Sequence, residues 1–282
     1  MADETCPKLG GQLERLAALG DRFPITCQTR PPGPWTPATD LTGTASSAWP
    51  EIIDAYADTL GTTQRRIAAS IALQHHGTRV AGLAIGSWAL LGAVPSLSAE
   101  GLHVRFDQGR TTELWLPEPR RAEPSSPREP QLETLGRELF GHLRPVVDAV
   151  RRTAPLNTRR CWGNLAASCA GIFCALDRLV PPERTAEIRA HAAAFFAVPE
   201  WPVFGLVDWQ VWGGPPSDGL CHERRTCCLI RDIPGKQPCE SCSIRPPAER
   251  RAAWEASLRE LRRPSAPSLP VASAPIHLPE TT

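Results

Sequence analysis

The sequence predicts a mainly helical α+β protein with a small β-hairpin and a loop-rich C-terminal module. Apolar residues at helical spacing predict the helices, most clearly over residues 132–152, where Leu and Val recur every three or four positions. Two short alternating stretches, 101–106 and 111–116, flank a turn-forming Asp-Gln-Gly-Arg sequence and predict a β-hairpin. At 282 residues the chain can form one large domain or two modest ones.

Composition changes along the chain predict four parts. Six prolines between residues 24 and 50 predict an irregular N-terminal segment over residues 1–48. Residues 49–215 are expected to form a helical domain containing the hairpin, and residues 216–263 a cysteine-bearing module with a terminal helix. The low-complexity tail, 264–282, is expected to be disordered.

Within the second part, individual helices are expected to begin and end at recognisable signals. Residues 49–60 form a short helix, a helix over 64–76 ends at Gly77, and a second apolar helix follows over 79–91. The helix over 132–152 is kinked at Pro145. Further helices cover 162–180 and 183–197, and the terminal helix covers 248–262.

Composition also restricts the class of protein. The N-terminal twenty residues carry several charges and no apolar core, so we expect no signal peptide and a location in the reducing cytoplasm rather than a secreted disulfide scaffold. The uncharged apolar runs 80–94 and 161–176 fall short of the ~20 residues that cross a bilayer, so we expect buried helices there. A net charge of +1 excludes a globally basic nucleic-acid binder.

Four cysteines within residues 227–242 form the most specific motif. They follow the pattern C-C-x10-C-x2-C, with a loop containing Pro234, Gly235 and Pro238 between the two pairs. Four thiolates that converge suit either a tetrahedral zinc ion or a two-iron, two-sulfide cluster. The candidate ligands for the cluster and its metal are Cys227, Cys228, Cys239 and Cys242.

The adjacent pair favours iron–sulfur over zinc without deciding between them. A single zinc usually takes ligands from two knuckles of C-x2–4-C type, which adjacent cysteines do not supply. A two-iron cluster offers two metal positions and tolerates wider ligand spacing. Spacing alone therefore leaves both metals open.

A family resemblance strengthens the iron–sulfur interpretation. The cysteine spacing resembles the C-terminal signature of the FhuF-type ferric-siderophore reductases, and Cys161-Trp-Gly-Asn-Leu-Ala-Ala-Ser168 is similar to their W-G-N-x-A-S stretch. The apolar run 65–97 also resembles that family, so the likeness covers roughly residues 50–245. It implies a cytoplasmic 2Fe-2S protein that passes one electron to iron(III) in a siderophore. It also implies that the four motif cysteines are the complete ligand set, with Cys221 a spare thiol.

Partners follow from the same resemblance. We expect a ferric siderophore, an unidentified electron donor and transient proximity to a membrane transporter, and no nucleic acid. Arg224, Arg225 and Arg231 lie beside the ligands in a positively charged stretch, which predicts electrostatic tuning of the cluster or docking of the substrate. Asn164, a polar amide in an apolar helix, is expected to bond core backbone or to support the cysteine module.

Two other functions share parts of this pattern. A non-enzymatic iron–sulfur redox sensor or cluster carrier would use the same ligands without turnover. A structural zinc module would use the thiols and add a basic helix that contacts nucleic acid.

Overall fold

A computed structural model describes residues 6–27, 29–43, 48–213 and 218–260. It confirms the mainly helical α+β class. The helices are α1 (Cys6–Ala17), α2 (Thr39–Thr42), α3 (Ala48–Leu60), α4 (Arg65–Leu91), α5 (Gln131–Thr153), α6 (Thr158–Leu179), α7 (Thr185–Phe196) and α8 (Pro247–Glu260). The strands are β1 (Ile25–Cys27), β2 (Thr36–Pro37), β3 (His103–Asp107), β4 (Arg110–Leu116), β5 (Val207–Trp212) and β6 (Gly219–Arg224).

The centre of the molecule is the packed pair α4 and α6. Most of α4 is buried on every side, so it passes through the core rather than along the surface. Strands β3 and β4 form the predicted hairpin, closed by Gln108 and Gly109 with φ of 48° and 76°. This hairpin belongs to a four-stranded sheet of order β1-β4-β3-β2, in which β1 pairs parallel to β4.

The prediction that a helix ends at Gly77 is wrong, because Gly77 lies inside α4, a continuous helix of 27 residues. A Cβ atom at Gly77 would overlap Cδ2 of Leu165 on α6. The glycine therefore lets two helices approach closely, and a residue that resembles a local stop signal serves tertiary packing instead.

The N-terminal segment was expected to be irregular, but it contains helix α1. The Leu9, Leu13 and Leu16 side chains of this helix are buried in the core. The division of the chain into four parts stays a prediction. The antiparallel hairpin of β5 and β6 spans the proposed boundary at residues 215 and 216, and the tail from residue 264 lies outside the described residues. In the described part of the chain, no helix is both long and apolar enough to cross a membrane.

Strand β6 is fixed against α6 by a buried carboxylate. Asp177 of α6 accepts a hydrogen bond from the Leu220 amide at 2.8 Å and pairs with Arg189 of α7 at 2.7 Å. Arg189 also pairs with Asp218 just before β6, at 3.0 Å. These bonds set the position from which the chain enters residues 227–242, which we call the cysteine loop.

Candidate functional site: the cysteine loop and its supports

The two halves of the cysteine motif lie against each other at the end of β6. The Arg224 amide donates to the Ser241 carbonyl at 2.9 Å, and the thiol of Cys239 interacts with that of Cys228 closely enough to shift its pKa. Arg245 donates to the Pro238 carbonyl and keeps the second half of the loop folded back. The ten-residue connection thus returns as its proline and glycine positions predicted.

A strained turn follows the adjacent cysteines. Leu229 has a φ of 72°, in the left-handed region that side chains other than glycine rarely adopt. This conformation directs the Leu229 amide to the sulfur of Cys227 at 3.3 Å. Amide donors directed at sulfur stabilise a thiolate, so the turn suits a ligand role for Cys227.

Cys228 differs electrostatically from Cys221. Interaction with the Cys239 thiol lowers the pKa of Cys228, and the Arg224 charge acts in the same direction. The same interaction raises the pKa of Cys239. Burial instead raises the pKa of Cys221 to about 11, as expected for an inert thiol.

The W-G-N-x-A-S stretch on α6 supports the first cysteine pair. A Cβ atom at Gly163 would lie 2.9 Å from Cβ of Thr226, so only glycine lets Thr226 pack this closely. One turn before, Arg160 donates to the Cys227 carbonyl at 3.2 Å. Gly163 of this stretch therefore packs against the side chain of Thr226, and Arg160, just before the stretch, holds the backbone of Cys227.

Asn164 connects the helix pair to the loop and fulfils both roles expected of it. Its Nδ2 donates to the Ser70 carbonyl and hydroxyl oxygens, both at 2.8 Å, and its Oδ1 accepts from Arg224. The Ser70 hydroxyl in turn donates to the Cys228 carbonyl at 2.9 Å. A chain of buried polar contacts thus runs from α6 through α4 to the cysteine loop.

The three arginines expected near the ligands occupy different environments. Arg224 is 1% exposed and donates to Gln74 Oε1 at 2.7 Å and to the Thr226 carbonyl at 3.2 Å, besides Asn164. The other two are solvent-accessible and paired with carboxylates: Arg225 with Asp208 at 2.6 Å and Arg231 with Asp232 at 3.5 Å.

Only Arg224 of these three is placed to act directly on the thiols. Its charge helps to lower the pKa of Cys228, whereas at Cys239 it opposes the larger upward pKa shift that Cys228 and burial cause. The electrostatic role of the three arginines as a set stays a prediction.

The supporting polar residues on α4 were missed by sequence reasoning. Ser70, Gln74 and Thr78 recur every four positions along α4, which places them on one face of the helix. Thr78 donates to the Ser168 hydroxyl at 3.0 Å, and Ser168 donates to the Gln74 carbonyl at 3.0 Å. This polar stripe was the available signal, because buried polar groups need partners.

The four-cysteine ligand set stays a prediction. No three His, Cys, Asp or Glu side chains of the described ranges are gathered closely enough to surround one metal ion. A structural zinc requires four ligands at one ion, whereas the irons of a 2Fe-2S cluster divide four cysteines between them. Thiols are the ligand type that both kinds of site use.

Comparison with known proteins shows what the middle of the chain is similar to. Residues 79–210 match a family model described as "Ferric iron reductase FhuF-like transporter". The chain is also 30% identical over 153 residues to the "Ferric siderophore reductase" of Escherichia coli strain K12, covering 53% of this chain and 55% of that protein. The chain thus spans about half the length of this curated relative. Residues 79–210 are thus similar to the FhuF-like ferric iron reductases, and the four-cysteine motif begins beyond them.

Proposed function

We propose that this protein is a ferric-siderophore reductase of the cytoplasm that holds a 2Fe-2S cluster with Cys227, Cys228, Cys239 and Cys242. The main supporting observation is that the Arg224 amide joins the two halves of the motif through Ser241, while Arg160 and Asn164 of the FhuF-like segment hold the first half in place. The similarity to a protein named for ferric siderophore reduction supports the substrate.

The reaction transfers one electron. An external one-electron donor supplies it, iron(III) in the siderophore is reduced to iron(II), and no covalent bond of the siderophore changes. When bound, the cluster supplies one electron at a time. Iron(II) binds hard oxygen chelators less tightly, so it leaves the chelate for the cell.

Residues of this chain hold the cysteine loop in position and set the electrostatic surroundings of its thiols. Arg160 and Ser70 fix the carbonyls of the adjacent cysteines, and the Leu229 amide faces the Cys227 sulfur. Arg224 places a buried positive charge near Cys228, which favours the thiolate form of this ligand. Burial of Cys242, at 3% exposure, limits access of water to that ligand.

Anaerobic mixing tests the proposal. Protein reduced with dithionite and freed of excess reductant is mixed with ferric siderophores, and iron(II) is trapped with a coloured chelator. We expect about one iron(II) per cluster, matched by reoxidation of the protein's visible absorbance. Protein that contains iron and sulfide but releases no iron(II) from any ferric siderophore would contradict the reductase proposal.

The same preparation separates the other two functions. A redox sensor or cluster carrier contains iron and sulfide but produces no catalytic turnover when the reductant is supplied continuously. A structural zinc module is colourless and contains zinc without sulfide. The electron donor and proximity to a membrane transporter belong to the proposal as partners still to be identified.

A further inference from the structure

A cavity of about 440 Å³ opens beside Cys239, between α6, β6 and the second half of the cysteine loop. Its volume falls within the roughly 300–1,000 Å³ typical of small-molecule sites. Cys239, Ser241 and Pro238 form one wall, and Ser168 and Gly171 of α6 lie among the residues opposite. A molecule in this cavity therefore lies against a proposed cluster ligand.

The lining of this cavity is positively charged. Arg22, Arg178 and Arg245 line it, whereas Glu240 is the carboxylate among the described lining residues. None of the three arginines forms a salt bridge with a described carboxylate, although Arg225, Arg231 and other arginines of the same region do. Uncompensated guanidinium groups around a cavity attract anions.

Two of these guanidinium groups also keep donors without partners. The Nε atoms of Arg178 and Arg245 are buried, and neither has a hydrogen-bond partner within the described part of the chain. An anionic oxygen in the cavity would accept charge-assisted hydrogen bonds from guanidinium groups of the lining. The arginine charges also help burial to lower the pKa of His222 in the same lining, to about 3, so this histidine stays neutral.

We infer that this cavity is the docking site for the ferric substrate and that it selects negatively charged chelates. Iron(III) with three catecholates carries net negative charge, whereas three hydroxamates leave the complex neutral. The inference rests on the proposed function, because it names the substrate class of the same site. It assigns docking to Arg22 and Arg178 rather than to the ion-paired Arg225 and Arg231.

Redox-inert gallium(III) complexes allow binding to be measured without electron transfer. As-purified protein is titrated calorimetrically with the gallium complexes of a tricatechol chelator and of a trihydroxamate chelator of similar size. We expect the anionic complex to bind at least about tenfold more tightly, since a charge-assisted hydrogen bond contributes on the order of one tenfold step or more. Added salt should weaken this preference.

A matched pair of double variants locates the binding. Arg22→Gln/Arg178→Gln should lose the preference, whereas Arg251→Gln/Arg259→Gln, which removes the same charge from exposed positions on α8, should keep it. Arg22→Gln alone, at an exposed position, should lose part of the preference and provides the test if the double variant unfolds.

The outcomes separate this inference from the proposed function. Equal binding of both gallium complexes, no binding of either, or equal losses in the two double variants would overturn the docking inference, even if ferric chelates are reduced. Selective binding that depends on Arg22 and Arg178, without reduction of the ferric complexes, would support the anionic site and overturn the reductase proposal.

Discussion

Replacing Gly163 with Ala tests whether α6 holds the cysteine loop in place. The added Cβ would lie 2.8 Å from Cγ2 and 2.9 Å from Cβ of Thr226, the residue directly before the cysteine pair. Rotation of the Thr226 side chain can move its methyl and hydroxyl groups, but not its Cβ atom. The loop backbone must therefore shift away from the helix.

The magnitude follows from two opposing effects. Alanine in place of glycine inside a helix gains about 0.5–1 kcal/mol. Overpacking of a close contact costs about 1–3 kcal/mol. We therefore expect Gly163→Ala to reduce the free energy of unfolding by about 1–2 kcal/mol.

Gly171 provides a matched control on the same helix. A Cβ atom there would meet Arg22 Nη1 at 3.6 Å, an ordinary contact with the end of a flexible side chain. Gly171→Ala is expected to be neutral or to stabilise by about 0.5–1 kcal/mol. The two alanine variants should thus differ by about 1–3 kcal/mol, or several degrees in Tm.

Urea denaturation and analysis of iron and sulfide content check this prediction. We expect lower iron retention in Gly163→Ala during gel filtration, and unchanged retention in Gly171→Ala, because only the first change displaces the cysteine loop. Thr226→Gly in the Gly163→Ala background removes the clashing Cβ and should recover iron content. Equal stability and iron content in the two alanine variants would refute the idea that the glycine positions the loop.

Three further predictions test the ligands, the buried arginine and the buried histidines. Serine at any one of the four motif cysteines should abolish or sharply lower iron and sulfide content, whereas Cys221→Ser retains both; a colourless Cys221→Ser protein would contradict this ligand set. Arg224→Gln should cost about 1–3 kcal/mol in urea denaturation, because it leaves buried acceptors without a donor, whereas Arg225→Gln at an exposed ion pair has little effect; equal effects would contradict the supporting role. Burial lowers the pKa values of His76 and His142 from 6.5 to about 3 and about 4, so the unfolded chain alone takes up protons just below pH 6.5. Stability should therefore be complete above pH 6.5 and fall by roughly 1.4 kcal/mol per pH unit per histidine toward pH 4, and a His76→Gln/His142→Gln variant with an unchanged slope would contradict this cause.

The elements that the sequence predicted well are those specified by local pattern. Alternation and a turn with left-handed residues give the β3–β4 hairpin, and repeated apolar spacing gives α5, with Pro145 inside it. The four cysteines were recognisable because their spacing is short and rare. Local information suffices where the determinant lies within a few residues.

The remaining features depend on contacts distant in sequence. The function of Gly77 can be understood only from Leu165, and that of Gly163 only from Thr226. Strand β5 was not predicted, although apolar and polar residues alternate over most of Val207-Asp-Trp-Gln-Val-Trp212. The burial of Arg224 had no local signal, because its acceptors lie on α4 and α6.

The supports of the cysteine loop have a consequence for how the chain is organised. Residues 229–246 contain one short helical turn and several prolines, so little regular hydrogen bonding fixes their shape. The carbonyls of both adjacent cysteines are instead held by Arg160 and Ser70 from the helix pair. Buried polar networks lose stability when one member is left unsatisfied. A mutation in either the cysteine loop or the helix pair should therefore destabilise both. Hydrogen bonds therefore join the helix pair to the cysteine motif, although the family match ends at residue 210, before the first motif cysteine.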